Sequence, residues 1–146
     1  MAVKAGAPTP DIGTVDALKR TLLAAKSIAY SDSASGVYLS TELFPKLGIA
    51  DQVRGKSRKI EADPVGEAVA RGEIEIGFQQ ISELRPVKGI EIVGPLPPGA
   101  RRVTVFAAGV PATSKHPGEA KALIDWLASP AAYLAIKESG LEPAKH

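Results

Sequence analysis

Short apolar strands alternate with amphipathic helices along the first half of the chain, and this alternation limits the possible folds more than any other feature. Residues 14–26 place Val15, Leu18 and Leu22 at helical spacing, and the apolar residues 27–30 that follow have the length of a buried strand. The pattern then recurs, with helices predicted at 35–48 and 64–72 and strands at 57–62 and 74–80. Strands separated by helices favour a mostly parallel sheet with right-handed crossovers, so we predict a three-layer α/β protein.

The second half of the chain adds two predicted strands, at 90–96 and 101–110, and two predicted helices, at 116–129 and 129–140. Residues with capping side chains precede several helices. Thr14 is the expected N-cap of the first helix and Ser35 that of the 35–48 helix, which Gly48 is expected to end. Asp63 is expected to cap a helix whose first residue is Pro64, with Pro64 itself as the alternative cap.

Composition excludes several classes of function. The net charge of +2 is too small to indicate a nucleic-acid partner, and no basic run is present. The chain has no cysteine, which excludes thiol chemistry, disulfides and cysteine-based metal sites. No apolar run approaches the roughly 20 residues of a membrane span. The first ten residues, MAVKAGAPTP, lack the apolar core of a signal peptide, so none is expected in this chain.

The usual catalytic motifs are missing. The two histidines, His116 and His146, look like a helix cap and the last residue, so neither a Ser-His-Asp triad nor a histidine metal site is expected. The chain has no GxSxG, GxxxxGK or GxGxxG motif. A pair of carboxylates stays open, because 16 acidic residues are present. These absences predict a binding protein without cofactor or metal rather than an enzyme.

The stretch YSDSASGVYLSTEL, residues 30–43, carries five Ser or Thr residues and one Gly where a strand turns into a helix. Open α/β sheets place ligands at the carboxyl ends of their strands, and the first N–H groups of a helix have no partner inside it. Ser33, Ser35 and Gly36 are therefore candidate anion ligands, through two hydroxyls and the backbone. The alternative is an ordinary capped turn, and the local sequence alone favours it.

A second strand-to-helix connection offers a similar arrangement. Val65 is the first residue of its helix with a free N–H, because Pro64 has none, and Gly66 follows it. Gln79 and Gln80 lie at the end of the next strand, where one amide could reach the same crevice. Val65, Gly66, Gln79 and Gln80 are thus further candidate ligands, although simple solvent exposure of the glutamines stays equally open. We predict that the helices beginning near Ser35 and Val65 converge on one crevice.

Three segments resemble the molybdate-binding-like branch of the type II periplasmic solute-binding proteins, which serve ABC importers. They are residues 29–53, 63–84 and 116–143. The resemblance implies two α/β lobes joined by crossover strands, with a tetrahedral oxyanion held between them by hydroxyls and backbone N–H groups. In this chain Ser35 or Gly36 and Val65 would supply such N–H groups. Gln80 stands where molybdate binders commonly have a tyrosine, so another small organic solute stays an alternative to molybdate.

The resemblance also implies that the first lobe is missing. Residues 1–9 are then the remnant of a crossover strand, 10–88 the second lobe, and 89–146 the return strands with a C-terminal helix pair. The implied partners are an anionic solute and the membrane subunits of an ABC importer, and the implied location of the parent protein is the periplasm. An effector-sensing domain of a LysR-type regulator is a further alternative.

Loss of a lobe would also leave the 101–110 strand exposed. Residues 103–110, VTVFAAGV, are apolar and pair readily, and unprotected strand edges recruit other chains. We therefore expect a homo-oligomer.

Overall fold

The computed structural model describes residues 1–143, and its centre is a five-stranded sheet. The strands are β1 (Ala2–Lys4), β2 (Ile28–Ser31), β3 (Ser57–Ile60), β4 (Ile76–Phe78) and β5 (Ile90–Ile92). Their order across the sheet is β3-β2-β4-β1-β5. Strand β2 is parallel to β3 and β4, whereas β1 is antiparallel to β4 and β5. Four of the five strands therefore run in one direction, which confirms the predicted α/β fold with a mostly parallel sheet.

The five predicted helices occur in the predicted order, and two short helices that were not predicted, Ala50–Arg54 and Ile81–Leu84, lie between them. The helices are α1 (Val15–Ala24), α2 (Ala34–Tyr38), α3 (Phe44–Lys46), α4 (Ala50–Arg54), α5 (Val65–Ala70), α6 (Ile81–Leu84), α7 (Pro117–Leu127) and α8 (Tyr133–Glu138), with a 3₁₀ turn at Pro130–Ala132. A π-helical segment, Leu39–Leu43, joins α2 to α3, so one continuous helix runs from Ala34 to Lys46. Pro45 explains the π segment, because a proline ring would clash with a carbonyl of a regular α-helix.

Two apolar clusters cover the two faces of the sheet. The first joins α1, the 34–46 helix and α4 to side chains such as Ile28 and Phe78. The second joins Val65 and Val69 of α5 to Ala29. Since Ile28 and Ala29 are neighbours on β2, the alternation of strand side chains places the clusters on opposite faces. The arrangement has three layers, helices on both sides of the sheet.

Residues 99–102, called here the strap, lie along the 34–46 helix. The Tyr38 hydroxyl donates to the Ala100 carbonyl at 2.9 Å, and the Lys46 ammonium donates to the Gly99 carbonyl at 2.8 Å. Arg102 forms an ion pair with Glu42 and lies 5.5 Å from the centre of the Tyr38 ring. Tyr38, Glu42 and Lys46 are four residues apart, so successive turns of one helix hold the strap.

The described chain divides into two compact units, which we call unit 1, Met1–Thr104, and unit 2, the described residues from Val105 onward. Unit 1 contains the sheet and both apolar clusters. Unit 2 contains α7 and α8, and α7 has no buried residue. Within residues 1–143, no helix is long and apolar enough to cross a membrane.

Several local predictions are confirmed. The Thr14 hydroxyl accepts a hydrogen bond from Ala17 N–H at 3.1 Å, so Thr14 is the N-cap of α1. Gly48 ends the 34–46 helix with φ of +67°. His116 occupies the N-cap position of α7 without a capping hydrogen bond from its side chain, and His146 lies outside the described residues.

Three other local predictions were wrong. Ser33 rather than Ser35 is the N-cap of α2, since the helix begins at Ala34, two residues earlier than a cap at Ser35 implies. Pro64 is not the first residue of α5 but its N-cap, the alternative to Asp63, because it has an extended ψ of 132° and leaves Val65 as the first helical residue. Residues 101–110 form no strand. A strand needs a pairing neighbour, and both edges of β1 are already paired, with β4 on one side and β5 on the other.

Candidate functional site

The carboxyl ends of three adjacent parallel strands define the candidate site. Strands β3, β2 and β4 all end at the same edge of the sheet, where they are followed by α5, α2 and α6. This is the edge at which α/β proteins bind their ligands. All seven candidate ligand residues lie on these three connections or in the first three residues of α2 and α5, and their role as ligands stays a prediction.

Three hydroxyls form what we call the serine cluster, Ser31, Ser33 and Ser35. The Ser31 hydroxyl lies 2.7 Å from that of Ser33 and 3.4 Å from that of Ser35, and the last two are 3.1 Å apart. Ser31 is only 5% exposed. Sequence reasoning missed Ser31, although its position at the end of a strand, on the same face as Ala29, was readable from the alternation of side chains.

Gly36 has a structural role that its sequence context did not reveal. A Cβ atom at this position would lie 1.6 Å from the Ser31 carbonyl oxygen, so only glycine lets the helix approach the end of β2. Its N–H group donates to the Ser33 carbonyl at 3.0 Å, which means that the ligand donor expected there is already paired. Among the described residues, no acceptor is found for the N–H groups of Ala34 and Ser35. These two groups are the donors that the helix leaves available.

The second predicted donor is also paired inside the chain. The Val65 N–H group donates to the side-chain oxygen of Gln79 at 3.0 Å. Val65 is fully buried, and a Cβ on Gly66 would come within 3.0–3.2 Å of Val87, so the start of α5 is tightly packed. The structure thus brings two predicted residues together, with Gln79 rather than a ligand accepting from Val65.

Strand register joins the two halves of the site. Tyr30 pairs with Phe78 across the parallel β2 and β4 strands. The next residues, Ser31 and Gln79, follow this last pair at the ends of the two strands, and alternation places both on the face that α5 covers. Gln80 instead precedes α6, and its N–H group donates to the Glu83 carboxylate at 3.2 Å. Its local role is to begin a helix.

The charged residues near this edge include one ion pair and the exposed carboxylate of Asp32, which lies close enough to Lys59 to contribute to its raised pKa. Lys59, near the end of β3, forms an ion pair of 2.7 Å with Glu61. The hydrogen bond that Lys59 donates to Glu61 and the negative charge of Glu61 raise the pKa of Lys59, and the same pair lowers the pKa of Glu61. Residues 1–143 contain no group of three or more His, Asp or Glu side chains that could hold a metal ion. What the edge offers an anion is a set of neutral donors.

Comparison with known proteins identifies the relatives of this chain. The sequence model of the bacterial extracellular solute-binding proteins matches residues 1–142. A protein from Pseudomonas sp. named aconitate isomerase is 52% identical over 143 residues, which are 98% of this chain and 55% of that relative. The chain therefore spans about half the length of this curated relative. No solved structure matches the chain.

The expectation that this chain is not part of an enzyme is wrong in the light of that comparison, since the relative carries an enzyme name at 52% identity. The motifs whose absence led to the expectation belong to hydrolases, nucleotide-binding proteins and thiol or metal enzymes. An isomerase that only moves a proton between carbon atoms needs none of them, because an ordinary carboxylate or hydroxyl can transfer the proton.

Proposed function

This chain belongs to the bacterial extracellular solute-binding protein family, and on that premise we propose that it binds aconitate or a closely related small polycarboxylate and takes part in its isomerisation. The observation that carries the proposal is the 52% identity to the aconitate isomerase of Pseudomonas sp. across 98% of this chain. At such identity the residues that line a binding site are usually retained together with the fold. Aconitate is an unsaturated tricarboxylate, so the proposed ligand is a small organic solute, the alternative to molybdate, and it is an anion.

The geometry of the serine cluster supports a carboxylate ligand. A carboxylate oxygen accepts several hydrogen bonds at once, and the cluster places three hydroxyls next to the available N–H groups of Ala34 and Ser35. These groups stand at the start of the continuous helix from Ala34 to Lys46, whose dipole favours a negative charge there. The buried position of Ser31 strengthens its hydrogen bonds, because little water competes for them.

Transport of a small oxyanion, with molybdate as the original expectation, is the second candidate function. The neutral donors of this edge favour it, since a tetrahedral oxyanion can be held by hydroxyl and N–H groups alone. In that case the partners would be membrane subunits of an ABC importer. For either function the family supports a periplasmic or extracellular parent protein, and we propose that the present chain corresponds to its second lobe. The family assignment favours both over a LysR-type regulator.

The binding step is tested by nuclear magnetic resonance with the 146-residue chain labelled with ¹⁵N. We expect trans-aconitate or cis-aconitate to shift the backbone amide signals of Ala34 and Ser35, even at millimolar affinity. A double variant, Ser33→Ala with Ser35→Ala, should lose these shifts, whereas Ser82→Ala on α6 is the matched control. Shifts with molybdate but not with aconitate would favour the second candidate function.

The isomerisation step is tested with the full-length protein to which this chain corresponds. Incubation with trans-aconitate followed by chromatographic separation of the two isomers should show cis-aconitate accumulating, and the double serine variant should slow that conversion. Binding without any conversion would limit the function to solute binding.

A further inference from the structure

Gln79 has a side-chain amide whose orientation is fixed by a hydrogen bond. Its side-chain oxygen accepts from the Val65 N–H group at 3.0 Å. Only the oxygen of an amide can accept an N–H, so this hydrogen bond determines which end of the side chain carries the two N–H donors. Because oxygen and nitrogen lie on opposite sides of the amide, the donors are directed away from Val65. No acceptor for them is found among residues 1–143.

The position of this side-chain NH2 group relative to the serine cluster follows from the pairing of β2 with β4. Ala29 and Gly77 are paired residues of β2 and β4, and both face α5. Two residues further along the chain in each case, Ser31 and Gln79 lie on that same face, and the contact of Gln79 with Val65 of α5 agrees with this. Both side chains are at least half-buried. The side-chain N–H donors of Gln79 are thus on the same face of the sheet as the buried hydroxyl of Ser31, which belongs to the serine cluster.

Gln80 differs from its neighbour in every one of these respects. It is the N-cap of α6, its N–H group is held by Glu83, and its carbonyl accepts from the N–H groups of Glu83 and Leu84. Strand alternation turns it to the other face from Gln79. A glutamine in this position stabilises a helix and needs no ligand.

We infer that Gln79 is a specificity-determining residue of this site, whose side-chain NH2 group donates to a carboxylate of the ligand. Gln80, in contrast, only caps α6. The inference rests on the proposed function and names the residue that selects for the charge of the ligand. A neutral amide accommodates a carboxylate because it donates two hydrogen bonds. A carboxylate at the same position would repel the ligand and offer it no hydrogen bond.

The variant Gln79→Glu separates the two roles of this side chain. Glutamate keeps an oxygen for the Val65 N–H group, so the fold is retained, but it removes the donors and adds a negative charge. We expect the dissociation constant for trans-aconitate to rise by about 10- to 100-fold, the range for losing a hydrogen bond to a charged group. Gln80→Glu, the matched control, should change it by about twofold or less.

The side-chain signals of Gln79 give a direct readout. The pair of side-chain NH2 signals that is missing from the spectrum of Gln79→Glu belongs to Gln79. It should shift with trans-aconitate but not with its uncharged trimethyl ester. If this pair stays in place while the Ala34 and Ser35 amides shift, the ligand site stands and the role of Gln79 is overturned. Unchanged affinity in Gln79→Glu would overturn it as well.

Two further outcomes are distinguished by the same series. If the unaltered chain shows no shift with any carboxylate, the proposed function fails and this inference fails with it. If circular dichroism shows that Gln79→Glu is unfolded, Gln79→Met replaces it, since methionine has the same length and neither charge nor donor. A folded Gln79→Met variant with unchanged affinity would overturn the inference. Weakened binding in Gln79→Met, with the affinity of the Gln80→Met control unchanged, would support it.

Discussion

Helices α1 and α7 have similar lengths and similar apolar patterns, yet they lie in very different surroundings. In α1 of unit 1, Leu18 and Leu22 are completely buried. In α7 of unit 2, Leu123 is 58% exposed and Trp126 is 54% exposed. An amphipathic pattern therefore predicts that a helix forms and which of its faces is apolar, but it does not show what covers that face. The comparison can be tested by paired substitutions, one in each unit.

The largest difference is expected for glycine substitutions. Gly36→Ala places a Cβ 1.6 Å from the Ser31 carbonyl oxygen, whereas Gly118 in the first turn of α7 has open space around it. We expect Gly36→Ala to destabilise the fold by more than about 4 kcal/mol or to prevent folding, since backbone atoms must shift. Gly118→Ala should be neutral or stabilise by about 0.5–1 kcal/mol. Urea unfolding followed by circular dichroism measures both, and equal effects would contradict the described packing of Gly36.

Leucine truncations should give the next largest difference. Leu22→Ala removes a fully buried side chain of the first apolar cluster and is expected to cost about 2–5 kcal/mol. Leu123→Ala, at a position 58% exposed, should cost less than about 0.5 kcal/mol. The same unfolding measurement tests the pair. A large cost at Leu123 in the isolated chain would show that the apolar face of α7 is covered in solution.

The exposed apolar residues also bear on assembly, which we propose to be homo-oligomeric. Val103, Val105 and Phe106 are 76%, 79% and 65% exposed, and they belong to the segment that was expected to recruit another chain. Light scattering at about 100 µM should therefore show a dimer or larger species, because a complex with a dissociation constant of 10 µM would be mostly assembled. Phe106→Asp changes an exposed phenylalanine and leaves the buried Phe44 of the first apolar cluster unchanged, so it should shift the protein toward a monomer without disturbing the core. A monodisperse monomer of the unaltered chain would refute the proposal.

The smallest effect is expected within unit 1, at the strap. Burial and the charge of Glu42 raise the pKa of Tyr38, against a smaller opposing effect of Arg102. The folded state thus keeps the Tyr38 proton more firmly than the unfolded state, so this contribution to stability is present below the ordinary tyrosine pKa of about 10 and is lost as pH rises through the higher folded value. Tyr38→Phe should cost about 0.5–1.5 kcal/mol near neutral pH by removing the bond to Ala100. Ultraviolet titration should show one late-ionising tyrosine, absent in Tyr38→Phe.

The sequence predicted what depends on neighbouring residues and missed what depends on distant ones. The Thr14 cap, the stop at Gly48 and the alternation that gives the three layers are all readable within one or two turns of the chain. The missing strand at 101–110 could not be foreseen from its composition, because a strand exists only when a neighbour pairs with it. β-Propensity describes how well a residue fits such a pairing, and it does not supply the neighbour.

The candidate site shows the same limit. Strand ends and hydroxyls located its residues, but the partners of their donors come from register and packing. Val65 is 14 positions away from the Gln79 oxygen that it contacts, and the tight contact of Gly36 with Ser31 depends on the entry angle of the helix. An absence of motifs was the weakest basis of all, since it led to the wrong conclusion about enzymatic activity.

The strap determines where this chain can be cut. Ala100 is completely buried in the first apolar cluster, and its carbonyl and that of Gly99 are hydrogen-bonded to the 34–46 helix. From Arg101 to Ala108 every residue is exposed and outside any helix or strand. A shortened chain that ends at Thr104 keeps the whole strap, whereas one that ends at Leu96 exposes the core beneath it. The residues after the strap are correspondingly the natural place for a protease site, a permuted terminus or a reporter insertion.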